Sequence, residues 1–312
     1  EILLSECLFI ILLAADFFLP MRLLGSFFHI AMNGMAASDK IFKLLDLPEP
    51  VKGTKEISQE SGLCCRDLTF AYEKERPILK QISLSAKKGD FVAIVGESGC
   101  GKSTLASIFT GKNRNYQGEV LFGGAQGVPL AEISEESLLE QITYVGHAGY
   151  LFRGTVRENL LLAKPDGTDE EFWQVLEQMK LADFLRSEQG LDTMLEEKGS
   201  NFSGGQCQRL VMARALLHDS AVYIFDEATS NIDAESENDI MEQIYQMKGK
   251  KTVLLISHRL ANVTAADKIY VLEQGKIAEQ GNHETLITQN GSYAKLWNTQ
   301  QKLEDYRKEK AS

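Results

Sequence analysis

Positive charge is in short supply in this chain. Its 312 residues carry 33 Lys and Arg against 44 Asp and Glu, a formal net charge of −11. Neutralising nucleic-acid phosphates takes clustered Lys and Arg, so no nucleic-acid partner is expected. Cysteine is also sparse. The five, at positions 7, 64, 65, 100 and 207, show no metal-ligand spacing, and neighbours such as Cys64 and Cys65 rarely pair, so they read as reduced thiols. Repeats and low-complexity tracts are missing. Residues 2–19 are apolar but lack the basic start and small-residue cleavage site of a signal peptide. The first residue is Glu rather than Met, which reads as a fragment or a processed product.

What is present fits one large α/β domain with an appendage, and an apolar content of 44% is enough for a proper core. Residues 1–46 read as one long helix. Leu, Ile and Phe dominate its first part, with Glu6 and Asp16 making it an imperfect membrane-spanning segment. Pro20 marks a kink or the point of exit from the bilayer. Arg22 and Lys40 put the following side in the cytoplasm. The competing reading is a buried core helix, but nothing else in the chain is apolar enough to surround it. Leu47-Pro48-Glu49-Pro50 ends the helix, and residues 47–61 form a polar linker.

A domain is expected over residues 62–300, followed by a charged tail, 301–312. Alternating strands at 63–72 and 82–86 flank a turn near 73–77. The run 91–95 is wholly apolar, as in buried parallel sheets, and 221–225, 252–256 and 268–272 repeat that character. Further strands fall at 118–122 and 142–145, and helical spacing is clearest at 170–180 and 206–217. The alternation of strand and helix predicts a mostly parallel sheet covered on both faces.

Gly96-Glu97-Ser98-Gly99-Cys100-Gly101-Lys102-Ser103-Thr104 follows the apolar strand 91–95 and opens a helix over 104–109. Glycines let successive backbone N–H groups wrap a phosphate chain, and the helix N-terminus adds its positive end. Lys102 would reach the outer phosphates and Ser103 would hold Mg²⁺. A second strand, Tyr223-Ile224-Phe225, ends in Asp226-Glu227. Asp226 suits the metal shell, and Glu227 is placed to polarise an attacking water. Phe202-Ser203-Gly204-Gly205-Gln206 opens another helix and makes a second anion site.

These motifs together resemble the ATP-binding-cassette (ABC) family over residues 61–300, in order along the chain. Phe202 to Gln206 resembles the signature motif, Gly96 to Thr104 the Walker A loop, and Tyr223 to Glu227 Walker B. Tyr72 matches the aromatic that stacks on adenine, Ser230-Asn231-Ile232-Asp233 the D-loop, and His258 in Ile256-Ser257-His258-Arg259 the switch histidine. The resemblance implies a P-loop NTPase of ABC type, with an antiparallel β-subdomain, a helical subdomain and a partly transmembrane leading helix. It implies ATP and Mg²⁺ as ligands, with each signature motif acting on the ATP of a second half-transporter subunit. The implied function is ATP hydrolysis driving solute export across the cytoplasmic membrane, with the nucleotide domain in the cytoplasm. A regulatory subunit of a heterodimer with weak hydrolysis and a soluble ABC ATPase are the alternatives. Asp16 to His29 and Ala37 to Phe42 resemble the last membrane helix of an ABC exporter and its cytoplasmic extension, with about five upstream helices outside this chain. That stretch is most similar to subunits of the bacterial cysteine/glutathione exporter associated with cytochrome bd assembly. Cargo contacts would lie mainly in the upstream helices, so the solute is unassigned.

One position departs from the family. In Tyr144-Val145-Gly146-His147-Ala148, His147 stands where a Gln is usual, and the sequel Leu151 to Asn159 fixes the alignment. Imidazole lacks amide geometry. His147 is therefore either a tolerated substitution or the mark of a weakened site. Cys100 is either a small loop residue or a thiol whose pKa is lowered by Lys102 and the helix N-terminus. Cys207 reads as packing.

Overall fold

A computed structural model describes residues 3–47, 53–57, 62–73, 76–124, 126–147 and 149–311. The expected helix stop at 48–50, linker residues 58–61, turn residues 74–75 and Ala148 lie outside the described residues. The chain divides into two compact units, Glu1–Val51 and Lys52–Ser312.

The first unit is a single helix, α1 (Leu4–Leu45), continuous through Pro20. Its 42 residues rise about 63 Å, twice the ~30 Å of a bilayer hydrocarbon core. The Glu6 carboxylate accepts from the Leu3 N–H at 3.0 Å, so this acid caps the helix start rather than standing alone. Leu8, Phe9, Ile10, Ile11, Phe17 and Phe18 are all exposed, and none of the apolar window is buried. Among the described residues α1 is the one helix long and apolar enough to cross a membrane.

The second unit holds two main sheets. The antiparallel one runs β2-β1-β4-β5, from β1 (Leu63–Phe70), β2 (Leu79–Ala86), β4 (Gln117–Phe122) and β5 (Val128–Pro129). The other runs β12-β11-β3-β10-β9-β6, from β3 (Phe91–Gly96), β6 (Ile142–Gly146), β9 (Val222–Asp226), β10 (Thr252–Ile256), β11 (Lys268–Glu273) and β12 (Lys276–Gly281). Its strands are parallel except β12. A two-stranded piece pairs β7 (Gly154–Thr155) with β8 (Met194–Leu195).

Side chains alternate across a strand, so the apolar runs supply both faces at once. Phe91, Ala93, Val95, Tyr223 and Phe225 enter one core cluster, while Val92, Ile94, Val222 and Ile224 enter the other. The first cluster is closed by α4 (Val156–Leu161), α5 (Asp169–Gln178), α6 (Ala182–Ser187), α7 (Gly204–His218) and α8 (Ala234–Gln246). The second is closed by α2 (Lys102–Phe109), α3 (Glu135–Gln141) and the antiparallel sheet. Two helices end the chain, α9 (His283–Thr288) and α10 (Ser292–Ala311), and α10 passes residue 300 without a break.

Two departures from expectation have plain causes. The first strand stops at Phe70, leaving Tyr72 in the following bend. Strand β12 was not foreseen, because its Lys276-Ile277-Ala278-Glu279-Gln280 text is that of a half-exposed edge with little apolar signal.

Ile224 is fully buried in β9 between two paired neighbours. Ile224→Ala is expected to cost about 2–5 kcal/mol of stability, read as a lowered urea midpoint with an unchanged slope.

Candidate active site

The parallel sheet delivers its chemistry along one edge. Asp226 pairs in register with Ile256 of β10 and Gly146 of β6, and Ile256 pairs with Ile94 of β3. The carboxyl ends of β3, β10, β9 and β6 therefore lie side by side, where ligands of open α/β sheets bind. A cleft of about 800 Å³ opens there. Tyr72, Ser98, Gly99, Gly101, Lys102, Ser103, Thr104 and Glu227 line it, so residues from three separate motifs converge.

The loop after β3 turns at Gly96, whose φ of +147° favours glycine and whose Cβ would meet the Leu272 carbonyl oxygen at 2.2 Å. The Lys102 side chain is buried and folds back to donate to the Gly96 and Glu97 carbonyls, both at 2.9 Å. Its ammonium thus sits at the mouth of a ring of backbone amides that opens the N-terminus of α2, a cradle for an anion chain.

Ser103 lies in the first turn of that helix, and its hydroxyl donates to Asp226 Oδ1 at 3.2 Å. Adjacent ligands of an octahedral Mg²⁺ with bonds near 2.1 Å lie about 3.0 Å apart, so this oxygen pair has the chemistry and spacing of two neighbouring ligands. Oδ2 of Asp226 accepts from the Tyr144 hydroxyl at 3.1 Å. Burial first, and then the Asp226 carboxylate, push the Tyr144 phenol up to about 12, so it stays a donor at neutral pH. Tyr144 belongs to none of the motifs; its place on β6, next to β9 and separated from β3 by two strands, is revealed only by strand pairing.

Glu227 follows Asp226 in the left-handed region, φ +55°, which turns the chain off the strand end and aims its carboxylate at the cleft. A non-glycine residue there costs about 1–2 kcal/mol, offset by backbone bonds from Glu227 N–H to Ile256 and from Ser230 N–H to Glu227, both 3.0 Å. His258 lies two residues past β10, and its Nε2 is 2.6 Å from Glu227 Oε2. The expected water-polarising acid and switch histidine are in direct contact.

Other predicted residues lie elsewhere. Phe202 packs edge-on against Phe184, while Ser203 and Gly204 are exposed and outside the cleft lining. Ser203 and Gln206 cap α7 reciprocally, at 3.2 and 2.9 Å. Gly205 is buried where a Cβ would meet Ser236 Oγ at 2.2 Å and Asp233 Oδ2 at 2.6 Å, so the signature turn and the D-loop touch through it. Asp233 is exposed and caps α8, and the Ser236 N–H holds its carboxyl below the usual range. His147 is exposed one residue past β6 and does not line the cleft. Its neighbour Gly146 accepts from buried Gln208 Nε2 of α7 at 3.1 Å, a tie that no motif announced. Arg76, Lys80 and Gln274 line the cleft near Tyr72 and were likewise unforeseen. The Tyr72 hydroxyl accepts from Asn113 Nδ2 at 3.2 Å, with its ring exposed.

Of the two readings of Cys100, the lowered thiol is not what forms: burial raises it, and the opposing effect of Lys102 is smaller. The loop folds the sulfur inward to 8% exposure, so desolvation of a thiolate outweighs the nearby cation. Cys207 is raised by burial as well.

Residues 79–230 match the ABC transporter family. An uncharacterized ABC transporter ATP-binding protein of Haemophilus influenzae is 49% identical over 95% of this chain and 53% of its own length. The ATP-dependent lipid A-core flippase of Haemophilus ducreyi is 40% identical over 90% of this chain and 49% of its own. The structure of a bacterial Atm1-family ABC exporter with ATP bound superposes with a TM-score of 0.78 at 30% identity, covering 92% of this chain and 50% of that one. The chain spans about half the length of the curated relatives it matches.

Because the Cys100 thiol is raised, its reaction with maleimide at pH 7 should be slower than that of a small free thiol and should rise about tenfold per pH unit below its pKa. Mass spectrometry of the labelled loop peptide reads the rate, and Mg-ATP should suppress it. Fast, pH-independent labelling would restore the lowered thiol.

Proposed function

From the premise that this chain carries an ABC transporter ATP-binding domain, in a family where ATPase activity is typical, we propose that it hydrolyses ATP to drive export as one subunit of a dimer in the cytoplasmic membrane. The observation that carries this reading is the meeting of Lys102, Ser103 and Glu227 in one cleft, with Asp226 bonded to Ser103 and His258 in contact with Glu227. The signature residues Ser203 and Gly204 stand exposed outside it, available to the nucleotide of a second subunit. Residues 1–46 are the end of the membrane domain, 47–61 the linker, 62–300 the nucleotide domain and 301–312 its tail. The length and unburied apolar surface of α1 support a membrane segment.

In this reading Tyr72 stacks on adenine, and the backbone of residues 96–101 with Lys102 holds the phosphates. Ser103 and Asp226 would hold Mg²⁺, which supplies charge neutralisation at the phosphates. Glu227 takes a proton from water as its oxygen attacks the γ-phosphorus. The bond from that phosphorus to the ADP oxygen breaks, leaving ADP and phosphate. His258 holds the Glu227 carboxylate and contacts the γ-phosphate. Such a reaction depends on positioning and charge stabilisation more than on covalent help. Closing and opening of the dimer would then move the membrane helices.

His147 supports a second reading, a regulatory subunit with weak hydrolysis of its own, since it is exposed and Tyr144 rather than His147 reaches Asp226. For cargo, α1 resembles the matching segment of a cysteine/glutathione exporter, while relatives of the chain are lipid A-core flippases, so these are the two solutes to test. Stimulation of ATPase activity by glutathione against lipid A in nanodiscs separates them.

Glu227→Gln should keep ATP binding and lower turnover by about 10²–10⁴-fold, trapping a closed dimer. Retained wild-type turnover would sink the assignment. Lys102→Ala should lose ATP binding or hydrolysis, read by nucleotide titration and phosphate release. His147→Gln should leave turnover unchanged if the position is tolerant; a marked rise, with Glu227 still required, favours the regulatory subunit.

A further inference from the structure

The loop that carries His258 is gripped by the helix that ends the chain. Gln300 of α10 donates from Nε2 to the His258 carbonyl oxygen and accepts at Oε1 from the Leu260 N–H, the latter at 2.9 Å. One partner is an acceptor and the other a donor, so a single amide orientation satisfies both. A Glu would face the His258 carbonyl with an oxygen, and a Met would offer neither bond.

The rest of α10 holds Gln300 at this point. Glu279 of the edge strand β12 accepts from the first N–H groups of the helix, Ser292 and Tyr293, the second at 3.1 Å. Tyr293 is fully buried, and its hydroxyl lies 2.8 Å from His283 Nδ1 of α9. Leu296 and Trp297 pack on the main core. Gln300 is seven residues, two turns, past Tyr293, so both lie on the same inward face.

The far side of the loop is held independently. Buried Glu237 of α8 pairs with Arg259 and accepts from Asn262 Nδ2 at 2.8 Å. That contact fixes the residues after His258. The carbonyl of the His258 peptide is held by Gln300, while the N–H of that peptide, from Arg259, donates to the adjacent Ser257 Oγ at 3.0 Å, so Gln300 is its tie to another element. The His258 imidazole is half exposed and meets the Glu227 carboxylate, so its placement depends on that peptide.

We propose that Gln300 is a positioning residue for hydrolysis: it fixes the backbone of His258 so that the imidazole stays on Glu227, which makes the C-terminal helix part of the hydrolytic apparatus. The proposal rests on the role given to His258 above.

The test uses the full-length protein in nanodiscs. Gln300→Met removes both bonds at nearly constant volume and should lower kcat on the order of tenfold, with KM for ATP within about twofold. Gln300→Glu keeps the bond from Leu260 and should fall between the two. Hydrogen exchange over residues 257–264 should quicken in Gln300→Met, an effect independent of turnover. In a His258→Ala background, measured in single turnover, Gln300→Met should add less than about twofold, because the group it positions is gone. An equal loss in both backgrounds, or an unchanged kcat and exchange in Gln300→Met, overturns the proposal. Full turnover in His258→Ala alone would instead overturn the reading of the site, while the exchange result still decides whether the grip exists.

Discussion

The site depends on the register of three buried parallel strands. β10 lies between β3 and β9 and pairs with both, with Ile256 opposite Ile94 on one side and Asp226 on the other. Parallel pairing of strands buried on both faces fixes that register, because a one-residue slip would exchange the two core faces along a whole strand. The loop of Lys102, the carboxylates of Asp226 and Glu227, and the imidazole of His258 are each set within two or so residues of a strand end. Their mutual distances follow from backbone pairing before any side chain is considered.

Around this frame the polar groups are held in pairs. Ser103 and Tyr144 each engage one oxygen of Asp226. Glu227 accepts a strained backbone, and its carboxylate meets His258. Buried carboxylates away from the cleft follow the same rule. Glu237 is paired with Arg259, and Asp239 with Lys180 and Arg209. Removing one member of such a pair leaves an uncompensated buried charge, so these contacts tie α8 to the switch loop and to the segment between α5 and α6.

The signature turn and the D-loop form a separate surface. Gly205 permits the Asp233–Ser236 turn to pack against the start of α7, and the same helix reaches back through Gln208 to the carbonyl of Gly146. A shift of α7 would therefore be felt at the end of β6, where Tyr144 contacts Asp226. This gives a physical route between the exposed signature turn and the cleft.

The strands 91–95, 252–256 and 268–272 were legible because a wholly apolar run can be satisfied only by burial on both faces. The loop from Gly96 to Thr104, Asp226, Glu227 and His258 were legible because their chemistry demands particular residue types in a short local order. Tyr144, Gln208, Gln300 and the edge strand β12 were not. A Tyr in a strand, a Gln in a helix and a polar edge carry no local signal, and their partners are 82, 62 and about 40 residues away in the chain. The same holds for Cys100, whose local neighbours argue for a lowered thiol while its folding inward raises it. The sequence by itself determined which groups are candidates for the chemistry, since that depends on residue type and close spacing. Only the tertiary structure decided which side chains orient those groups and how burial tunes them, since hydrogen bonds and desolvation depend on what lies nearby in space.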